Sequence, residues 1–426
     1  MEVFGTDRRV IALSFARMAD AVGNSFLIIV LPLFIASGSV SGPLLGTDLF
    51  GYTITEPLII GVTLSLLGFL NSAAQPFAGR LSDRTGRRKV YILFGLAVLF
   101  VTDLAYVFAD RYWLLILIRA VQGIGVAFTI PATLALVNEL ATTATRGGNM
   151  GVFNTFRLLG FGVGPVAAGA IVNAGPYLFG GVPLSGFEAA FAMAAATAAI
   201  GYGLVTVLVS DPPELKASAG QDVSIAIRDP TGKHLLDPVF TLGVATLVMA
   251  IGIALISTLQ NVVNARLDQT ATVFGLQFAS FVLVQVLLQA PVGRATDLYG
   301  RRPFVIAGMA FLVPTTLWQG LVTSSLELLI ARIAQGIAMT MVFAPSLAIA
   351  GDLAKQGESG TKLSVLTMAF GLGVAVGPLL SGTLVGFGFV VPFAVGAVLA
   401  AIGTVLVYTQ VEETAEGVDR SGLLAD

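Results

Sequence analysis

Cysteine is absent from the 426 residues, and histidine occurs once, at His234. Without thiols there are no disulfides, no cysteine nucleophile and no thiolate metal site. One imidazole is too few for a histidine-rich metal centre or a hydrolytic triad. No metal, no cofactor and no enzymatic activity are therefore expected. Charge is scarce too, at 11% of residues, where soluble domains carry about 25%. A formal net charge of −2 offers no basic surface for nucleic acid. What the chain does contain is apolar: 56% of residues are hydrophobic and the mean hydropathy is +0.89. That excludes both disorder and an ordinary cytosolic protein, and predicts a chain that partners the lipid bilayer.

A span needs about 20 mostly apolar residues. Twelve such stretches are predicted, at 10–36, 57–78, 88–109, 113–137, 151–174, 187–209, 239–263, 272–292, 303–323, 326–350, 363–385 and 388–409. Their length and lack of period-2 alternation predict helices rather than barrel strands. Of the 23 Lys and Arg residues, seventeen then fall on the side of the termini and two, Arg111 and Arg266, on the other. The positive-inside rule accordingly puts both termini in the cytoplasm of a cell that holds the protein in its plasma membrane. Arg17 and Asp20 interrupt the first apolar run, which argues against a cleaved signal peptide.

A polar stretch with Pro212, Pro213 and Pro230 separates six spans from six. The expected organisation is a bundle at 1–210, a cytoplasmic linker at 211–237, a second bundle at 238–411 and a solvated acidic tail at 412–426 holding Glu412, Glu413, Glu416 and Asp419. The halves repeat. Gly79-Arg80-x-x-Asp83-x-x-Gly86-Arg87-Arg88 returns 214 residues later as Gly293-Arg294-x-x-Asp297-x-x-Gly300-Arg301-Arg302. Arg119-x-x-Gln122-Gly123 returns as Arg332-x-x-Gln335-Gly336, and Gly160-x-x-x-Gly164-Pro165-x-x-x-Gly169 as Gly373-x-x-x-Gly377-Pro378-x-x-x-Gly382, both at an offset of 213. Parallel repeats of this kind build alternating-access carriers, with substrate held near the midplane between the halves.

In its repeats and motifs the chain resembles a twelve-helix member of the major facilitator superfamily, of the drug/proton antiporter type. The resemblance implies an all-α integral membrane fold of two pseudo-symmetric six-helix bundles. Gly79, Asp83, Gly86, Arg87 and Arg88, with Gly293, Asp297, Gly300 and Arg301, match the signature between the second and third spans of each half. There the glycines are expected to give tight turns, and the acids and arginines an ionic latch. By resemblance this latch steadies the outward-facing state; the alternative is a turn that only orients the hairpin. Gly151, Gly160, Gly164, Pro165 and Gly169 resemble the superfamily's antiporter motif, with Ala168 where glycine is usual. Gly160, Gly164 and Ala168 share one helix face, a small-residue stripe for close helix approach. The resemblance favours proton-coupled efflux, whereas tight packing alone is the plainer reading.

Away from the span ends, six charges are expected to be buried in the membrane: Arg17, Asp20, Asp103, Arg119, Arg157 and Arg332. Each must face a cavity or a partner. Asp20 is expected to couple protons with Arg119 as its partner, and Asp103 competes for Arg119. Arg17, one turn from Asp20, could instead neutralise it locally. By the repeat offset the counterpart of Asp20 falls at position 234 in the linker, and those of Asp103 are Leu317 and Trp318. Arg17, Asn24, Gln75, Arg157, Asn261, Gln289 and Arg332 are candidates to line the substrate path. The functional expectation is a monomeric proton-coupled antiporter exporting small organic molecules, driven by the proton gradient. Four buried arginines against two aspartates leave room for an anion. The alternatives are a facilitator or proton symporter for a sugar or organic acid, and a transport-inactive receptor or scaffold.

Overall fold

A computed structural model describes residues 2–3, 6–49, 51–140, 146–212, 226–229, 232–353 and 359–414. Among them are twelve helices long and apolar enough to cross a membrane. The first half holds α1 (Arg8–Ala36), α2 (Glu56–Thr85), α3 (Arg88–Ala105), α4 (Tyr112–Glu139), α5 (Arg146–Ala174) and α6 (Gly186–Leu208). The second holds α7 (Pro238–Thr258), the short α8 (Gln260–Arg266), α9 (Ala271–Tyr299), α10 (Arg301–Leu321), α11 (Ser325–Asp352), α12 (Ser359–Leu384) and α13 (Val391–Gln410). Three short antiparallel hairpins are the only strands among the described residues, and the largest, Tyr177–Phe179 with Val182–Leu184, joins α5 to α6.

Helix starts follow capping chemistry. Asp7, Thr55, Asp237, Thr270 and Ser324 accept first-turn N–H groups, and Ser185 with Glu188 forms a reciprocal capping box. Two boundaries differ from expectation. The seventh span breaks after Thr258, and Asn261 therefore leaves the line of α7. In the other direction, α2 and α9 run on to Thr85 and Tyr299. Gly79, Asp83, Gly293 and Asp297 thus sit in helix, and the turns belong to Gly86 (φ 64°) and Gly300 (φ 95°), where a Cβ would be strained. Pro213 and Pro230 of the linker, and Glu416 and Asp419 of the tail, lie outside the described residues.

The glycine stripe of α5 packs against α1: a methyl on Gly160 would stand 2.3 Å from the Met18 carbonyl oxygen, and one on Gly164 2.7 Å from that of Val22. The second half copies this. Methyls on Gly373 and Gly377 would meet the carbonyl oxygens of Leu247 at 2.4 Å and Ile251 at 2.9 Å on α7. The motif's close packing is therefore common to both halves. It also realigns the repeat, because Met18 and Leu247 are 229 residues apart, not 213. The long α1–α2 connection, with its hairpin, accounts for the difference. The structural counterpart of Asp20 is thus buried Met249 on α7, not position 234. Gly95 and Gly308 make matching contacts with α4 and α11 at an offset of 213, so Asp103 corresponds to Thr316, not to Leu317 or Trp318.

The two halves touch along α2–α12 and α5–α9. Gly61 abuts the Pro378 carbonyl as Gly275 abuts that of Pro165, with methyl-to-oxygen distances of 2.5 and 2.4 Å. Gly382 and Gly169 likewise press on the backbone at Pro57 and Ala271. All these contacts lie away from the arginine-rich turns after α2 and α9. Near those turns, methyls on Gly148, Gly151, Gly293 and Gly351 would meet nothing within 4 Å. The bundles are closed against each other at the face away from those turns.

Candidate functional site

Arg17 and Asp20 lie on α1, about 14 and 18 Å along its axis from Arg8 at 1.5 Å per residue. Asp20 is buried and its Oδ2 pairs with Arg17 Nη1. Its Oδ1 accepts from Asn24 Nδ2 at 2.9 Å. The i,i+3 and i,i+4 spacings put all three on one helix face. Beside them, Leu13, Ala16, Ile92, Leu96, Thr129 and Thr133 enclose a crevice of about 10 Å³ that reaches both charges. That volume admits about one water.

Arg157 approaches from α5, which α1 grips through the glycine stripe. Its Nε donates to Asn154 Oδ1 at 3.0 Å, and its charge interacts with that of Arg17. No described acid pairs with it. Arg17, Asp20 and Arg157 therefore carry a formal charge of +1 within the first half. Arg157, read from sequence as cavity-lining or snorkelling, is half-buried, as is Arg17.

The expected pair of Asp20 with Arg119 is not formed. Arg119 Nη1 and the Tyr106 hydroxyl both donate to Gln122 Oε1 at 2.9 Å, while Gln122 Nε2 donates to Asp103 Oδ1 at 2.6 Å. Gln122 thus links Arg119 to Asp103, and Arg17 takes the place beside Asp20. The reason is reach: one helical turn brings Arg17 to Asp20 without crossing a helix interface. Tyr106 and Gln122 were missing from the sequence-predicted site; the repeated Arg-x-x-Gln spacing was the available signal.

In the second half Arg332 is buried and pairs with no described acid. Its Nη1 donates to Gln335 Oε1, Gln335 Nε2 donates to the Gly252 carbonyl at 3.1 Å, and the guanidinium lies 4.4 Å from the Phe281 ring centre and 5.4 Å from that of Phe278. Two aromatic faces replace the carboxylate. Asn261 proves to be a staple of the closed face, donating to the Pro32 carbonyl at 2.9 Å and to Glu56 Oε1 at 3.4 Å. Gln75 and Gln289 are half-buried at related places on α2 and α9.

At the basic face each half carries a charged triad. Arg88 donates to Asp83 at 2.5 Å and to Glu139 at 2.8 Å; Arg301 pairs with Asp297 at 3.3 Å and with Asp352. Glu139 and Asp352, one repeat offset apart at the ends of α4 and α11, were not read from sequence. These recorded pairs tie helices within one half, and Arg87 is exposed at the turn. Asp211 and Glu413 cap the N-termini of α3 and α10 in parallel, accepting Lys89 N at 2.9 Å, and Arg301 N at 3.0 Å with Arg302 N at 2.9 Å. Arg88→Ala leaves two partly buried carboxylates without their cation and is expected to destabilise by about 3 kcal/mol. Arg88→Lys restores little of this, because one ammonium does not reproduce the two-sided fork. Thermal unfolding of the detergent-solubilised protein checks both.

The profile of the Major Facilitator Superfamily matches residues 13–261 and 242–423. The chain belongs to this superfamily. Among relatives, the Multidrug resistance protein 2 of Bacillus subtilis is 24% identical over 395 residues, covering 90% of each chain. The Citrate exporter 1 of Aspergillus niger is 31% identical over 160 residues, 37% of this chain and 28% of its own. An uncharacterised transporter of Methanocaldococcus jannaschii is 28% identical over 176 residues, 41% of this chain. The chain spans 46% of that relative's length. Solved structures share the fold. The human organic anion transporter MFSD10 aligns with TM-score 0.67 at 19% identity, over 94% of this chain and 99% of its own. A bacterial homologue of the lysosomal transporter Spinster, inward-facing and occupied, aligns with TM-score 0.72 at 14% identity, over 94% and 95%. The chain is a multi-pass membrane member of this superfamily.

Proposed function

We propose that this protein carries small organic anions across the plasma membrane by alternating access, linked to protons through Asp20. The carrying observation is the charge of the central site: Arg17 and Arg157 against the single carboxylate of Asp20. A cation would meet a net positive site; an anion finds the guanidinium of Arg157 beside the Arg17–Asp20 pair. The names of the human organic anion transporter and the Aspergillus citrate exporter agree with that class. The basic face is the cytoplasmic one and holds both termini, following the seventeen-to-two bias of Lys and Arg. Each chain has both halves of a carrier and works as a monomer.

A second reading, export of drug-like molecules in exchange for protons, is favoured by the name of the Bacillus relative. The α5 glycines lend it less weight than the motif alone would, because α12 packs in the same way. Uptake into proteoliposomes of labelled benzoate, p-toluenesulfonate, tetraphenylphosphonium and glucose separates the two. The anions are expected to enter saturably, with the other two at background. Saturable tetraphenylphosphonium transport without anion transport would reverse the assignment.

A further inference from the structure

We infer that the second half holds a buried site for a small monovalent anion, a halide, between Arg332 and Thr316. The repeat shows where such a site comes from. At the offset of 213, Asp103, Tyr106, Arg119 and Gln122 correspond to Thr316, Gln319, Arg332 and Gln335. Each arginine donates to the glutamine one turn on, so that part of the arrangement is copied. The acid is not. Gln122 passes the link on to the Asp103 carboxylate, whereas Gln335 passes it to the Gly252 carbonyl at 3.1 Å. Arg332 is 1% exposed, and among the described residues of the second half no other charged side chain is buried. Its Nη2 has no hydrogen-bond partner. The rings of Phe278 and Phe281 attract the charge through their faces, but no described acceptor reaches Nη2.

Thr316 adjoins this group from α10. Its Oγ1 lies 3.4 Å from where a methyl on Gly252 would stand, and Gly252 is the residue whose carbonyl Gln335 holds. A hydroxyl donates where an ionised carboxylate only accepts, so the position has changed from an anion to a ligand for one. Gln319, in the place of Tyr106, is also 1% exposed, and its Oε1 has no partner. Two unpartnered polar side chains thus occupy the positions that meet beside the Asp103 carboxylate in the first half. A buried guanidinium favours a counter-charge, and one positive charge is balanced by one negative. The two phenylalanine rings leave no way out for an organic tail, which selects a compact ion. The site lies on α10 and α11 against α7 and α9, within one half, so the ion is held rather than carried. It stands apart from Arg17, Asp20 and Arg157 and does not depend on what the carrier transports.

The test is thermal unfolding of the detergent-purified full chain in sodium chloride, bromide or gluconate at one fixed ionic strength. Chloride and bromide are expected to raise the Tm saturably, by about 3 °C or more over gluconate, as a ligand of the folded state does. Arg332→Gln should unfold at the same temperature in all three salts. Thr316→Asp supplies the carboxylate of the first half. It should reach in gluconate the stability that the wild type has in chloride, with no response to halide left. That variant decides the matter if the glutamine variant folds poorly. Arg157→Gln should keep the halide response, because the central site takes no part in it. A wild type with one Tm in chloride and gluconate, or a response that persists in Thr316→Asp, overturns the inference. So does a response that Arg157→Gln abolishes and Arg332→Gln keeps, which would put the halide in the central site.

Discussion

Cysteines placed at Gly162 and Val282 will join on mild oxidation and stop transport, and a reductant will restore it. A Cβ at Gly162 would lie 3.5 Å from that of Val282, inside the range of about 3.5–4.5 Å found across disulfides. The two residues belong to α5 and α9, which come from different halves, so the bond fastens the closed face shut. Alternating access requires that face to part, and uptake should fall to that of empty liposomes. The native chain has no cysteine to compete for the new pair. Cysteines at Gly151 and Gly293, where a methyl would meet nothing within 4 Å, will stay reduced in the same state. The readout is labelled-anion uptake before and after reductant. Full transport with the bond formed would mean that the halves do not separate along α5 and α9.

Arg157→Glu will abolish anion transport and is the larger of the site effects. It takes the formal charge of Arg17, Asp20 and position 157 from +1 to −1 without touching the glycine stripe. Two unit charges about 4 Å apart interact by about 4 kcal/mol at an effective dielectric of 20, and the substitution both removes an attraction and adds a repulsion. Even about 3 kcal/mol of that corresponds to roughly a hundredfold in affinity. Arg157→Gln, which only removes the attraction, should cost about tenfold, an energy near 1.4 kcal/mol. Sulfonate binding at pH 6 measures both. Tetraphenylphosphonium uptake by the glutamate variant shows whether the site's charge sets its selectivity.

The fold was legible because bilayer physics writes it in long apolar runs, and the repeat shows in motifs whose spacing is set by helix packing. The register of α1 against α7 was not, since the long α1–α2 loop shifts the offset from 213 to 229. Met249 therefore stands opposite Asp20, a position that no motif marks. Partners were harder to read than places. Asp20, Arg119 and Asp103 were all identified as buried charges, yet sequence does not say which guanidinium reaches which carboxylate. Arg17 reaches Asp20 along its own helix, and Gln122 intervenes between Arg119 and Asp103. Asn261 was misplaced because a polar residue at the end of an apolar run looks cavity-lining until the helix is seen to break at Thr258. Glu139 and Asp352 escaped notice because neither belongs to the motif whose arginine it holds.

The measurement that bears most directly on proton-linked anion transport is lumenal pH in proteoliposomes given an inward gradient of p-toluenesulfonate and no initial pH gradient, with membrane potential clamped by potassium and valinomycin. Lumenal pH will shift as the anion enters wild-type vesicles, and Asp20→Asn will carry the anion without moving it. A lumenal pH that stays unchanged while the anion enters wild-type vesicles would mean that transport is not linked to protons.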